Sequence, residues 1–453
     1  MNPHSEATTF DAVVDTIRPP QGDGWDYLVI AAIFASMLAL AWAALATPLL
    51  QPLMDVARRQ HWTMLWIRPT IIWITMGMLL LVLRTILWLL YRPFAAARAE
   101  EAPPLTVIIP AYNESAMVEH AIASVAAASY PGKRLQIIAV DDGSTDDTWR
   151  YIQKAALRFP GLVTPIRLPA NLGKRGALAE GFRRATGEII VTVDSDSVIE
   201  RGALLAIAGP FRDPRVGAVA GKVAVHNRRA GLIPRMLHVR FILSFDYLRS
   251  AQSVFRTVYC CPGALAAYRT SVVRQVLPAW ERQRFLGAPC TYGEDRALTN
   301  DILARGYDTV YQRSAVVQTI VPETYSKLCR MFLRWDRSYI REEFRFARIV
   351  WGRPFFSRLL ALYESTITNL RYPVAYASIA LWAANALTDP STLVRMLLAI
   401  MVVSLLYVLY YLRSERSWDF VFGILYAYFS FFALTWIFPY AMLTLRTRGW
   451  LTR

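Results

Sequence analysis

Residues 27–50 carry no charged side chain, and about 20 apolar residues are enough to cross a bilayer. Comparable blocks recur at 70–91, where Arg84 interrupts, and at 370–386, 393–411 and 418–445. Hydrocarbon offers no partner to a free amide, so such blocks fold as helices that close their own backbone hydrogen bonds. They cluster at the two ends of the chain and leave a mixed, charged middle of soluble-domain size. Composition agrees, with 55% hydrophobic residues and only 19% charged, against about 25% in soluble domains. The expectation is a multi-pass protein of the cell membrane with its soluble domain in the cytoplasm.

The details of topology follow from flanking residues. Residues 1–24 are polar, with Pro19-Pro20 and acidic side chains rather than a basic start, so they read as a loose tail and not as a cleavable signal. Trp25 and Tyr27 suit an interface at the start of the first crossing. Arg58 and Arg59 then fall outside, against the positive-inside tendency. The last block contains Pro439, and arginines stand on both sides of it: Arg413 and Arg416 before, Arg446, Arg448 and Arg453 after. Cytosol at both ends predicts a bent or re-entrant hairpin there. The net charge is +16, and many of the arginines stand beside apolar segments, as Arg92, Arg98, Arg446 and Arg448 do, which points to anionic lipid as the partner and not to nucleic acid. Cys260, Cys261, Cys290 and Cys329 show no C-x-x-C pairing, as expected of reduced cytosolic thiols.

From residue 105 short apolar runs alternate with helical patterns. Strands are expected at 105–110, 136–140, 164–167 and 189–193, and helices at 115–128, 146–158 and 175–185. That alternation means an α/β domain with a mostly parallel sheet. Ligands bind outside the carboxyl ends of such strands. Tyr112-Asn-Glu114, Asp141-Asp-Gly-Ser144, Asn171-Leu-Gly-Lys-Arg175 and Asp194-Ser-Asp196 occupy those positions. Asp194 and Asp196 lie two apart, so in an extended backbone both point the same way. They either hold Mg²⁺ or Mn²⁺ together with a substrate diphosphate or simply end a strand in solvent. Lys174 and Arg175 open a helix, where cations and free amides suit a diphosphate; a solvated basic helix start is the other reading. Glu294-Asp295 follows Gly293 at a helix start. Either it is an acidic cap or it supplies a general base, since like-charge neighbours raise the pKa of one of the two. Residues 232–255 form one long helical pattern, and 325–351 an amphipathic one suited to the membrane interface.

Taken in order, these stretches resemble the processive family 2 glycosyltransferases, in particular hyaluronan synthases and nodulation-type chitin oligosaccharide synthases. The likeness runs through Ile109-Pro-Ala-Tyr-Asn-Glu114, Val140-Asp-Asp-Gly-Ser-Thr145, Gly173-Lys-Arg175, Val193-Asp-Ser-Asp-Ser197 and Ala251-Gln-Ser253. It continues through Cys260 with Gly263, Tyr268-Arg269, Gly293-Glu-Asp-Arg296, Arg334-Trp335 and Trp450-Leu-Thr-Arg453. It implies an α/β cytosolic GT-A (Rossmann-like) glycosyltransferase domain inserted between transmembrane and interfacial α-helices. The corresponding partition is 1–24 tail, 25–95 two crossings, 100–322 catalytic domain, 323–360 interface helices, 361–445 further crossings and 446–453 a cytosolic end near the active site.

The resemblance also implies roles. Asp295, with Glu294, acts as the base; Asp194 and Asp196 hold Mg²⁺ or Mn²⁺. A UDP-sugar donor is bound by Tyr112, Glu114, Asp142, Lys174, Arg175, Asp194, Arg334, Trp450, Thr452 and Arg453. Gln252, Cys260, Gly263 and Trp335 border the acceptor, and the partners are the bilayer and a growing glycan chain. Without the resemblance, Arg334-Trp335 is an ordinary membrane anchor and Cys260 a small buried apolar residue. Three positions depart from the family: Met331 stands in place of Gln, Pro262 in place of Ser or Cys, and Ala264 in place of Pro. The expected activity is inverting polymerisation of a β-linked polysaccharide, with UDP-GlcNAc as donor and export through the chain's own helices. Arg84, Glu364 and Arg371 are expected to line that path or pair. Transfer of one sugar to a polyprenyl-phosphate or other lipid, or a silent scaffold, are the alternatives.

Overall fold

The computed structural model describes residues 69–447 and isolated helical positions between Leu28 and Trp42. Most of the expected crossing at 27–50, and Trp450, Thr452 and Arg453, lie outside the described residues.

A long helix, α1 (Pro69–Leu90), leads into the soluble domain. Then follow β1 (Leu105–Ala111), α2 (Met117–Ala126), β2 (Leu135–Asp141), α3 (Thr148–Arg158), β3 (Val163–Arg167), α4 (Gly173–Arg184) and β4 (Ile189–Val193). The alternation is the one the sequence predicts, with ends shifted by one or two residues. Next come β5 (Ser197–Ile199), α5 (Ala203–Ala208), β6 (Val216–Val225), α6 (Leu232–Phe241), a π-helical turn Ile242–Tyr247 and α7 (Leu248–Val254). The domain closes with β7 (Leu265–Arg269), α8 (Thr270–Glu281), the hairpin β8 (Arg284–Phe285) and β9 (Ala288–Pro289), α9 (Glu294–Ala304) and β10 (Asp308–Thr319).

Eight strands form one sheet in the order β3-β2-β1-β4-β7-β6-β10-β5. The first four are parallel, β6 and β10 are parallel to each other, and β7 runs against both its neighbours. β1 and β4 are buried along their whole length, as apolar runs with no polar alternation require. Their side chains divide between the faces: Val107, Ile109, Val191 and Val193 join Val118 and Ile122 of α2, while Ile108 and Ile190 join Phe182 of α4 and Trp280 of α8.

Beyond the sheet lie α10 (Tyr325–Ile349), α11 (Phe355–Thr388), α12 (Ser391–Glu415), α13 (Phe420–Phe429), a π turn Ser430–Leu434 and α14 (Ile437–Leu443). Ile72–Leu90 and Ser391–Glu415 are long and apolar enough to cross a membrane, matching the expected blocks at 70–91 and 393–411. The block at 370–386 belongs instead to the single 34-residue helix α11, which begins before residue 360 and carries Arg358, Glu364 and Arg371. Among the described residues it does not reach the apolarity of the other two. The last block bends by 43° between Leu434 and Ile437, a break that suits either a broken span or a re-entrant loop. The apolar face of α10 is largely consumed by packing, with Leu328, Phe332 and Phe346 buried. Phe344, Trp351, Phe355 and Phe356 remain exposed.

The expected long helix at 232–255 is one path with a widened turn in its middle. Asp246, in that turn, is 1% exposed and accepts hydrogen bonds from Tyr311 Oη (3.0 Å), Arg313 Nε (2.8 Å) and Tyr410 Oη (2.9 Å). A wide turn lets one side chain face away from the cleft while Phe245, Leu248 and Arg249 face into it. It ties β10 and α12 to the same helix.

Candidate active site

The loops after β1 and β2 are stitched together by short polar side chains. Asn113 N–H donates to Ser144 Oγ (3.0 Å), Glu114 N–H to Thr148 Oγ1 (2.9 Å), and Thr145 N–H to Asn113 Oδ1 (2.9 Å). Asn113 and Ser115 adopt positive φ (53° and 48°), a conformation that Asn, with its short polar side chain, tolerates better than most residues. The result sets Tyr112 and Glu114 beside Asp142 at the level ends of paired strands, where Ala111 lies opposite Asp141.

Asp142 Oδ1 accepts the Leu172 N–H at 2.8 Å, joining β2 to the start of α4. Burial pushes its carboxyl up to about 6, and the Leu172 and Gly173 amides offset part of that rise. From the first turn of α4, Lys174 Nζ reaches Asp194 Oδ1 (2.5 Å) and Glu294 Oε1 (3.3 Å). Burial works against its charge, yet these carboxylates and Asp295 outweigh it and hold the ammonium above its ordinary range. Asp196 accepts from Ser197 Oγ (3.2 Å) and Thr319 Oγ1 (3.4 Å).

Glu294 and Asp295 open α9 after Gly293, whose φ of 72° only glycine adopts freely and whose missing side chain admits Ser338. Asp295 Oδ1 accepts the Arg296 N–H (2.7 Å), and Oδ2 accepts the Gly263 N–H (3.3 Å) and the Cys260 thiol (3.6 Å). Burial, then the neighbouring Glu294 charge, raises its pKa. Burial disfavours ionised Glu294 too, but Lys174, the helix amide and Arg175 bring it below the ordinary value. The two neighbours are thus shifted in opposite directions, Glu294 down and Asp295 up.

Arg175, expected to bind the donor, is buried away from the cleft. Adjacent residues on a helix point about 100° apart, and where Lys174 enters the cleft Arg175 turns into the core. Its guanidinium donates to the Trp280 carbonyl and lies 4.9 Å from that ring's centre. Trp280 Nε1 in turn donates to the Glu294 carbonyl at 2.9 Å. Arg175 therefore props the turn that carries Glu294 and Asp295 and does not line the cleft.

One cavity of about 1050 Å³ is lined by Tyr112, Glu114, Asp142, Lys174, Asp194 and Asp196 on one side. Gln252, Cys260, Gly263, Asp295, Arg334 and Trp335 line its continuation. Burial lowers the Arg334 pKa against the pull of Glu294, Asp194, Asp196 and Asp295. Trp335 is 36% exposed, with its edge against Phe332 and Phe245. The cavity runs on to Arg84 and Thr368. There Arg84 pairs with Glu364 (2.8 Å) and donates to Thr368 Oγ1 (3.1 Å), while Arg371 lies over Trp73.

Two further arginines brace the site. Arg249, buried, donates to the carbonyls of Cys260 (3.1 Å) and Ser244 (2.7 Å) and so fixes the segment around Cys260 to the widened helix. Arg296 pairs with Glu343 of α10. Arg296 closes the stretch Gly293-Glu-Asp-Arg296, whereas the sequence signal of Arg249 is only its nearness to Ala251-Gln-Ser253.

Comparison with known proteins bears on this arrangement. The glycosyl transferase family 2 pattern matches residues 106–277. An N-acetylglucosaminyltransferase of Azorhizobium caulinodans is 32% identical over 363 residues, 79% of this chain and 90% of that protein. The chain belongs to glycosyltransferase family 2. An N-acetylglucosaminyltransferase of Rhizobium meliloti is likewise 32% identical, covering 80% of this chain and 84% of the relative. A mannosyltransferase of Pyrobaculum calidifontis, solved in complex with GDP-Man and Mn²⁺, shares the fold. Its TM-score is 0.59 at 24% identity, over 80% of this chain and 96% of that one. The soluble domain of this family 2 glycosyltransferase is thus of GT-A type, as its sequence implied.

Proposed function

We propose that this glycosyltransferase takes N-acetylglucosamine from UDP-GlcNAc and adds it, with inversion, to a growing β-linked glycan that leaves through its own membrane helices. One observation carries the reading: Asp142, Lys174, Asp196 and Asp295 border a single cavity that continues to Arg84 and Thr368 on the membrane-side helices. The relatives named N-acetylglucosaminyltransferase support the choice of sugar. The catalytic side is cytoplasmic in this reading, where the donor is made.

Asp142, with Tyr112 and Glu114, takes the uracil edge, its carboxylate accepting the imide N–H. Lys174 and Arg334 hold the diphosphate. Asp194 and Asp196 suit Mg²⁺ or Mn²⁺ bound jointly with that diphosphate. Among the described residues no group of three or more His, Cys, Asp or Glu forms a self-sufficient metal cage, and Mg²⁺ typically takes one or two carboxylates and leaves the rest to phosphate and water. Bound there, the cation neutralises charge on the departing diphosphate. Trp335 supports the acceptor sugar, and Gln252 and Cys260 border it. Asp295 takes the proton of the acceptor hydroxyl as its oxygen attacks the anomeric carbon from the face opposite the diphosphate. The bond to UDP breaks, and no covalent enzyme intermediate forms.

The test is UDP release by the full chain in membranes, fed single UDP-sugars with and without Mg²⁺ or Mn²⁺, with the product sized. Metal-dependent release from UDP-GlcNAc with an oligomeric or polymeric product is expected. Release with only a single sugar on lipid would overturn the polymerising reading.

A further inference from the structure

Most carboxylates bordering the cavity are engaged by an identified partner: Asp142 by Leu172 N–H, Asp194 and Glu294 by Lys174, Asp295 by Gly263 and Arg296, and Glu343 by Arg296. Asp336 is different. It borders the same cavity, yet it has no hydrogen bond or ion pair among the described residues. Burial pushes its carboxyl up to about 7, with only the nearby Arg240 charge pulling the other way. The residue is half-buried at the cavity wall, and a carboxylate that finds no protein partner there is left to water or to a bound ligand.

Its surroundings supply the reason. Asp336 shares a helix face with Phe332 and Tyr339, one turn away on either side, and directly follows Trp335. Tyr339 lies 6.1 Å from Tyr372 of α11. The Arg240 guanidinium rests over Phe332 and Tyr426, each at 5.7 Å. Phe332, Trp335, Tyr339, Tyr372 and Arg240 all border the cavity. Aromatic faces that take the C–H side of a sugar ring, beside a carboxylate whose two oxygens accept from neighbouring hydroxyls, make a site for a polyol.

We propose that Asp336, framed by Arg240, Trp335 and Tyr372, binds hydroxyl groups of a glycan unit lying beyond the one being extended, on the side of the cavity nearest α11. This rests on the acceptor reading given under Proposed function. The site is a binding subsite for the glycan and takes no part in proton transfer.

The experiment uses full-length protein in membranes, UDP-GlcNAc as donor and a β-1,4-linked N-acetylglucosamine tetrasaccharide as acceptor probe. Asp336→Ala is expected to raise the acceptor KM about tenfold and to shorten the products, while the donor KM stays within about twofold. Asp336→Asn, which still hydrogen-bonds hydroxyls, recovers most of the loss. If the Ala variant fails to accumulate, Asp336→Leu keeps the volume and removes the polar atoms, with the same expectation. Unchanged acceptor KM and product length overturn the proposal. So does a parallel fall in donor and acceptor parameters that Asn does not rescue, which marks a purely structural role. A wild-type enzyme that releases UDP but ignores the tetrasaccharide and makes no oligomer defeats the polymerising reading itself, and the subsite falls with it.

Discussion

Gly263 lies so close to Lys174 that a methyl group on its α-carbon would stand 2.7 Å from the ammonium nitrogen and 3.4 Å from Asp194 Oδ1. The obstacle is the free end of a flexible side chain, and Gly263 has no positive φ. Gly263→Ala therefore folds, but it pushes the ammonium off Asp194 and Glu294. A misplaced charge-assisted contact to the diphosphate costs about 1.5–3 kcal/mol, so the donor KM is expected to rise about tenfold or more. Donor titration of UDP release measures it. An unaltered KM would mean the space is not reserved for Lys174.

In the proposed mechanism Asp295 takes the acceptor proton, and Asp295→Asn removes that function while keeping the shape. Loss of a general base typically costs a factor of about 10² to 10⁴ in turnover, and the donor pocket is untouched. The expected result is a collapse of kcat with UDP binding retained, read by single-turnover assay and by titration with UDP.

Burial and, after it, the Glu294 charge raise the Asp295 pKa. A base must be ionised to work, so activity fades as pH falls through that raised value. Glu294→Gln removes the like charge and lets Asp295 ionise at lower pH. The acid limb of the kcat/KM profile is expected to move to lower pH, even though the loss of a Lys174 partner reduces the plateau. A limb that moved to higher pH would reverse the assignment of the pair.

Asp142 titrates at about 6 because burial opposes its charge. Below that value the protonated acid is a weaker acceptor for the uracil imide N–H that the proposed mechanism assigns to it. Donor KM is expected to rise as pH falls through about 6 and to level off above 7. In Asp142→Asn the KM is raised throughout and this pH dependence is absent.

How much of this the sequence disclosed depends on whether a residue's direction follows from local geometry. The run ending in Asp194 and Asp196 forms a strand over Ile189–Val193 as read, because an unbroken β-branched block permits little else. The loop residues Tyr112, Asp142 and Lys174 followed from the rule that parallel strands present their carboxyl ends to ligands. Arg175 was misread because a basic pair at a helix start has one member in the cleft and one turned away, and which is which depends on a partner 105 residues on, Trp280. Asp246 and Arg249 were silent for a related reason. A widened helical turn breaks the 3.6-residue period on which face assignments rest, and their partners come from distant strands and helices.

Arg84 and Glu364 were legible as expensive intramembrane charges, and the structure pairs them at 2.8 Å with side chains 12% and 2% exposed. The pair joins α1 to α11 where the cavity reaches the membrane side. Removing one partner leaves the other charge buried and uncompensated, at a cost of about 3–5 kcal/mol. Arg84→Met and Glu364→Gln should each lower the thermal midpoint in detergent. The double variant Arg84→Met with Glu364→Leu leaves no stranded charge, so it should recover stability beyond either single change. Product length separates support from passage. If the pair only holds the helices together, the double variant makes wild-type products; if its polar atoms also guide the glycan, the stable double variant makes shorter ones. The continuity of the cavity past Arg84 and Thr368 favours the second outcome, because a glycan drawn through an apolar seam would lose hydrogen bonds that this pair and Thr368 are positioned to return.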